Sequence, residues 1–311
     1  MALGYSQQQP VPDEFLGPLH DATGVINDPP GLRRSFQEHG YVFLRNAFDQ
    51  REVLAARKSI FHRLAAVGEI ADPVEEGIAT GGSRRRESTA DLGSFWKAVS
   101  EDTALRAVTH GTRLRQLVGF LFDAPALPHD YLFLRPAPVG NATNLHYDYP
   151  FFAGEATQIV TCWIPLGDIP VSEGPLIVVE NSHRFEDLTG PMRTAALGSG
   201  PAAFAAIQEV AYQSAATETL EFVRARKTRL LTTTFQPGDV IIFDGFTMHG
   251  SLDNCSPRGR VRLSVDVRYQ PAAEPSTDPR YFGPNPGGAK GGGYGDQKAA
   301  QPLGTPWVAK Q

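Results

Sequence analysis

The sequence predicts a mainly β fold, a barrel or jelly roll with flanking helices. Three observations carry this expectation. Helical patterns dominate up to about residue 125 and short strand-like runs dominate after it. Those runs are joined by turn signals such as Glu173-Gly174-Pro175 and Pro237-Gly238-Asp239. The regular helix–strand alternation that a parallel α/β sheet requires is missing beyond residue 130.

Taken in order, residues 1–30 carry Pro10, Pro12, Pro29 and Pro30 with a run of glutamines, which predicts an extended arm on the surface. Leu32 to Gly40 has the spacing of a short amphipathic helix closed by glycine, and Tyr41-Val42-Phe43-Leu44 reads as a strand. Asp49 then opens a longer helix through Ala66, with Val53, Ile60, Phe61 and Leu64 on its apolar face. Residues 68–95, with Pro73, Gly77, Gly81, Gly82 and Arg84-Arg85-Arg86, predict a long loop of the kind that often serves as a lid. Helical spacing returns at Phe95-Trp96 and at Leu105 to Leu121.

Strands are expected at Tyr131–Arg135, around His146, and at Gln158–Ile164, Leu176–Val179, Lys227–Phe235, Asp239–Phe243 and Arg260–Tyr269. An Ala-rich insertion, 186–224, interrupts them, and residues 272–311 form a Gly/Pro-rich tail expected to be loose. Residues 31–271 then make a single domain.

The composition, 41% hydrophobic and 20% charged, is that of a globular protein with one sizeable core. A net charge of -5 gives no reason to expect nucleic acid or an anionic membrane as partner. Two cysteines, Cys162 and Cys255, form no disulfide framework, and no leader or membrane span is evident. These features predict a cytoplasmic protein acting on a small-molecule substrate and leave its oligomeric state open.

The chemistry centres on Asn144-Leu145-His146-Tyr147-Asp148-Tyr149. In an extended strand residues two apart face the same way, so His146 and Asp148 can grip one ion. His249 would complete a two-histidine, one-carboxylate face of the kind that binds iron(II) and leaves positions open. A solvated strand pair is the bland alternative for His146 and Asp148. His183 is a weaker candidate ligand, and His20, His39, His62, His110 and His129 read as surface or capping residues. The strand from Arg260 places Arg260, Arg262, Ser264, Asp266 and Arg268 on one face with valine and leucine opposite. Guanidinium suits the far carboxylate of a metal-chelating 2-oxo acid; an edge strand with its polar face in water is the alternative.

His146-x-Asp148, His249-Gly250-Ser251 with Asn254, the arginine strand, Gly174-Pro175-Leu176 with Ser182-His183, Pro237-Gly238-Asp239-Val240 and His39-Gly40-Tyr41-Val42 together resemble the phytanoyl-CoA dioxygenase family of iron(II)/2-oxoglutarate-dependent oxygenases. The likeness spans about residues 30–271, with 68–95 and 186–224 divergent. It implies a double-stranded β-helix (jelly roll, cupin-like) core, iron at His146, Asp148 and His249, and 2-oxoglutarate and oxygen as co-substrates. Arg262 with Ser264 is the favoured 2-oxoglutarate anchor and Arg260 the alternative. Ser251 and Trp163 match positions lining that pocket, although Trp163 also fits a plain core aromatic.

The resemblance implies oxidation of an unactivated C–H bond with release of succinate and carbon dioxide. Because Asp148 supplies a carboxylate where related halogenases have a small residue, hydroxylation is the default; desaturation, epimerisation or ring formation stays open. Tyr147, Tyr149, Phe151 and Phe152 beside the metal strand favour a medium-sized secondary metabolite, with 68–95 and 186–224 as pocket walls. Arg84 to Arg86 would meet an anionic substrate or simply be solvated. A cupin-like isomerase or a non-catalytic metal-binding barrel is the competing class, and neither needs the arginine strand.

Overall fold

In the computed structural model, residues 4–152, 158–196 and 218–304 are described. Apart from a two-residue hairpin, Tyr5–Ser6 with Gln9–Pro10, their strands are, in chain order, β1 (Leu16–Pro18), β2 (Tyr41–Leu44), β3 (Ala126–Pro128), β4 (Phe133–Ala137) and β5 (Val160–Pro165). There follow β6 (Leu176–Val179), β7 (Leu230–Thr232), β8 (Val240–Asp244), β9 (His249–Ser251) and β10 (Arg262–Pro271). The larger sheet runs β2-β8-β5-β10-β3, with β4 also paired to β10; the smaller runs β9-β6-β7-β1.

Period-two alternation decides which side of the larger sheet each residue serves. Val42 and Leu44 of β2, Val160, Cys162 and Ile164 of β5, Val240 and Ile242 of β8, and Leu263, Val265 and Val267 of β10 all join one core. That core lies under the helices. The residues between them turn toward the smaller sheet, where Tyr41, Phe43, Trp163, Ile241 and Phe243 meet Leu176, Val178 and Leu231. Two sheets packed over a shared interior with helices on the outer face are the jelly roll that the sequence predicts.

The helical flank forms where local signals place it. Helix α1 (Pro29–His39) starts on two prolines and ends at Gly40, whose φ of 77° is the left-handed conformation a helix C-cap uses. In α2 (Gln50–Ala66) Asp49 accepts the amide of Arg51, and in α3 (Leu92–Ser100) Asp91 accepts those of Gly93 and Ser94. The single helix expected from Leu105 to Leu121 is two, α4 (Thr103–Thr109) and α5 (Thr112–Phe122). The chain breaks at Gly111.

Three expectations need correction. The N-terminal arm is built into the fold: β1 pairs in parallel with β7. The 68–95 segment is no open loop. Val261 N donates to Gly77 O, Ala79 N donates to Gly259 O, and Arg85 is fully buried. Arg85 Nη2 lies 2.6 Å from Glu69 Oε2, and Nη1 faces the carbonyls of Ala299, Ala300 and Gln301 at 2.7, 2.8 and 3.0 Å. Of the arginine run, Arg84 and Arg86 are exposed as the solvated reading expects, and Arg85 is the exception. The tail is not loose as far as Gly304, because Tyr281, Tyr294, Ala300 and Leu303 are buried in the helical core. Residues 305–311 and 197–217 lie outside the described residues, so the insertion is seen only at its flanks, α6 (Glu186–Ala196) and α7 (Thr219–Arg226). Among the described residues no helix is long and apolar enough to cross a membrane.

Candidate active site

Strand β9 carries His249 and pairs with β6 on one side. On its other side lies the 143–146 segment, where His146 N donates to His249 O at 2.9 Å and His249 N donates to His146 O at 3.0 Å. The approach is close enough to require Gly250, since a Cβ there would stand 2.7 Å from Thr143 O. His146 occupies one bridge in an otherwise irregular segment, not the strand the sequence predicts. The chain bends at Asp148 into a single helical turn, Tyr149–Phe152.

His146, Asp148 and His249 converge, with their ligand atoms all within 4.8 Å of one another. Asp148 Oδ1 lies 3.5 Å from His146 Nε2 and 3.8 Å from His249 Nε2. Each imidazole is oriented by a backbone carbonyl: His146 Nδ1 donates to Asn144 O at 2.9 Å and His249 Nδ1 to Thr247 O at 3.0 Å. A carbonyl only accepts, so the proton sits on Nδ1 and the lone pair on Nε2 faces Oδ1. The second oxygen, Oδ2, takes the Thr161 hydroxyl at 2.5 Å and Arg268 Nη2 at 2.8 Å.

Electrostatics hold these groups in the forms a metal needs. Burial works to raise the Asp148 carboxyl, but Arg268, His249 and His146 outweigh it and keep the group well below the usual carboxylate range. Burial, with His146 beside it, pushes His249 down to about 3. Two imidazoles and one carboxylate, convergent and largely dry, suit iron(II).

Beside this cluster is a cavity lined by Arg262, Ser251, Trp163, Thr143, Arg135 and Asp266. Arg262 is buried, and burial pushes its pKa down to about 10. Its Nη1 donates to Ser264 Oγ at 2.7 Å, Nη2 reaches Ser251 Oγ only at 3.5 Å, and Nε is buried without a partner. A guanidinium with donors unspent in a buried cavity fits an anion. Arg260 faces elsewhere, with Nη1 3.3 Å from Glu173 Oε2. Strand β10 is central, flanked by β5 and β4, and Arg262, Ser264, Asp266 and Arg268 are all buried. The reading of that strand as a wet edge is overturned.

The phytanoyl-CoA dioxygenase family model matches residues 36–262, which is most of the chain and includes His146, Asp148, His249 and Arg262. The chain belongs to that family. It is an iron(II)- and 2-oxoglutarate-dependent oxygenase, and its substrate is a small molecule. It is 29% identical over 281 residues to the 1-deoxypentalenic acid 11-beta-hydroxylase of Streptomyces exfoliatus, a match covering 84% of this chain and 87% of that one. The enzyme of the same name from Streptomyces arenae is 28% identical over 268 residues, covering 81% and 85%. In fold it resembles the non-heme alpha-ketoglutarate-dependent carbocyclase SnoK from nogalamycin biosynthesis, at 19% identity and a TM-score of 0.53 over 83% of this chain and 88% of the other.

Against this family background several residues stand elsewhere than expected. Tyr147 is fully buried and donates to Ser182 O at 3.1 Å, and Tyr149 stacks on Phe246 at 4.4 Å. Phe152 is core, leaving Phe151, 42% exposed and 6.2 Å from the His146 ring, as the aromatic beside the opening. His183 lies outside the metal cluster against Gly40. His129 is buried beside Tyr281 and Phe282 and is no surface residue. No residue of 68–95 lines the cavity beside the histidines. Thr161, Arg135 and the contact of Arg268 with Asp148 escaped the sequence reading; the alternation of β5, which turns Thr161 inward with Trp163, is the signal that finds the first.

Proposed function

We propose that this oxygenase hydroxylates an unactivated C–H bond of a largely apolar secondary metabolite, with His146, Asp148 and His249 holding iron(II) and Arg262 anchoring 2-oxoglutarate. When bound, iron(II) with 2-oxoglutarate and oxygen supplies the oxidising power: substrate C–H becomes C–OH while the keto acid becomes succinate and carbon dioxide. The protein's own contribution is placement. Thr247 and Asn144 carbonyls fix the imidazole tautomers, Thr161 and Arg268 fix the carboxylate, and Ser264 and Ser251 steady Arg262 over the cavity.

The observation that carries this reading is a partly unsatisfied buried guanidinium, that of Arg262, facing the same cavity as His146 and His249, the two imidazoles that converge with Asp148. Asp148 occupies the ligand position that a halogenase leaves free for halide, which favours hydroxylation. Two curated relatives named as hydroxylases of 1-deoxypentalenic acid support the same outcome and a carbocyclic substrate class. Ser251, Ser264 and Trp163 belong to the co-substrate side in this reading, with Arg260 outside it. Of the insertion, Met192 and Phe222 pack in one cluster with Tyr147, and no described residue of 186–224 lines the cavity beside the histidines. Cys162 and Cys255 are free, in keeping with a cytoplasmic location.

Succinate release measured against a panel of terpenoid acids, aromatic polyketides and acyl-CoA thioesters tests the assignment. A response confined to phytanoyl-CoA would overturn the substrate class. His146→Ala is expected to lose iron binding and succinate formation while its far-UV circular dichroism stays that of the wild type. Wild-type turnover in that variant would remove His146 from the site.

A further inference from the structure

Arg268 is 1% exposed, sits deep in β10, and has no counterpart in the role that Arg262 fills. Its guanidinium carbon lies 4.2 Å over the Phe133 ring and 4.8 Å over that of Phe152. Two of its three nitrogens, Nε and Nη1, are buried without a hydrogen-bond partner; Nη1 reaches only to 3.8 Å from Asp266 Oδ2. A buried charge with unsatisfied donors is expensive, and an apolar side chain of similar size is often neutral or stabilising in its place. Among the described residues its one close polar contact is Nη2 to Asp148 Oδ2 at 2.8 Å. Stability of the strand does not account for such a residue; the carboxylate does.

We propose that Arg268 is a positioning residue for the metal ligand Asp148: together with Thr161 it saturates Oδ2, so that Oδ1 alone is turned to the metal. A carboxylate with both oxygens free can bind an ion through one or both, and can rotate away. Here Oδ2 is held by Arg268 from β10 and by Thr161 from β5, neighbouring strands of the larger sheet, while Oδ1 faces both Nε2 atoms. Keeping the carboxylate single-toothed reserves metal positions for the keto acid and oxygen. This rests on the metal-centre reading above, so the test separates the two.

The probe is Co(II) added to metal-free protein, read by its affinity and by the d–d absorption that reports coordination number. Arg268→Met is expected to weaken Co(II) binding by about 10- to 100-fold, the usual effect of losing an outer partner of a metal ligand, and to change the band pattern. Arg268→Lys should recover part of both, and Thr161→Val should shift both in the same direction as the methionine variant. Wild-type affinity and bands in Arg268→Met and Thr161→Val would overturn the proposal alone. If the methionine variant does not fold, Thr161→Val decides by itself. Wild-type protein that binds no Co(II), or His146→Ala that binds it equally well, would remove the metal centre and this proposal with it.

Discussion

Arg260 and Arg262 are two residues apart in the chain, yet their guanidiniums meet different partners. Arg260 is spent on Glu173, whereas Arg262 is buried beside His146 and His249 and, among the described residues, has hydroxyl partners only. Charge-assisted hydrogen bonds contribute about 1.5–3 kcal/mol, so Arg262→Gln should raise the 2-oxoglutarate KM by roughly 10- to 150-fold and leave Co(II) affinity near wild type. Arg260→Gln should change that KM by less than about twofold. Steady-state succinate assays on the two variants check this, and the opposite ranking would move the anchor to Arg260. The sequence leaves the choice open because both positions share a face and a spacing that suit the role. What separates them is Glu173, 87 residues away, and no local pattern reports it. His146 and Asp148, by contrast, stand out by their spacing only once His249 and the arginine strand are set beside them, and the backbone there is a bend and not the expected strand.

Elements with strong local signals form close to where the sequence puts them. Tyr41–Leu44 and Leu176–Val179 match to the residue, and Asp49 and Gly40 cap the helices expected of them. Segments that owe their order to distant partners do not announce it. Residues 68–95 and the tail look like loops because they are rich in glycine and proline, but Arg85 ties them together through Glu69 and three tail carbonyls. Removing one partner of a buried ion pair typically destabilises by about 3–5 kcal/mol. Arg85→Met should therefore lower the unfolding free energy by an amount in that range, read as a lower urea midpoint at unchanged slope. Co(II) affinity of the variant below its unfolding transition should stay within about twofold of wild type, as expected for a site built on different elements. A normal midpoint would mean that the tail holds without this contact; a lost metal site would mean that the tie also shapes the centre.

On the scale of the whole molecule, the fold screens several histidines from water, and this couples stability to pH. Burial drives His129 down to about 4, and likewise His183 to about 4 and His110 to about 3, against an ordinary value of about 6.5. Because the folded pKa values lie below the unfolded ones, the native state stays neutral where the unfolded chain takes up protons. Above about pH 6.5 neither state binds them and stability is at its full value; from there down toward pH 4 it falls. His129, 2% exposed, contributes a slope of at most about 1.4 kcal/mol per pH unit in that window. Urea midpoints of the metal-free protein between pH 7 and 5 should decline steadily, and His129→Phe should decline less steeply, since its partners Tyr281 and Phe282 accept a ring but the proton has gone. Parallel slopes for the two proteins would show that His129 is charged in the fold and that the acid sensitivity has another source. Metal must be absent from this measurement, because proton competition at His146 and His249 would otherwise add its own dependence in the same direction.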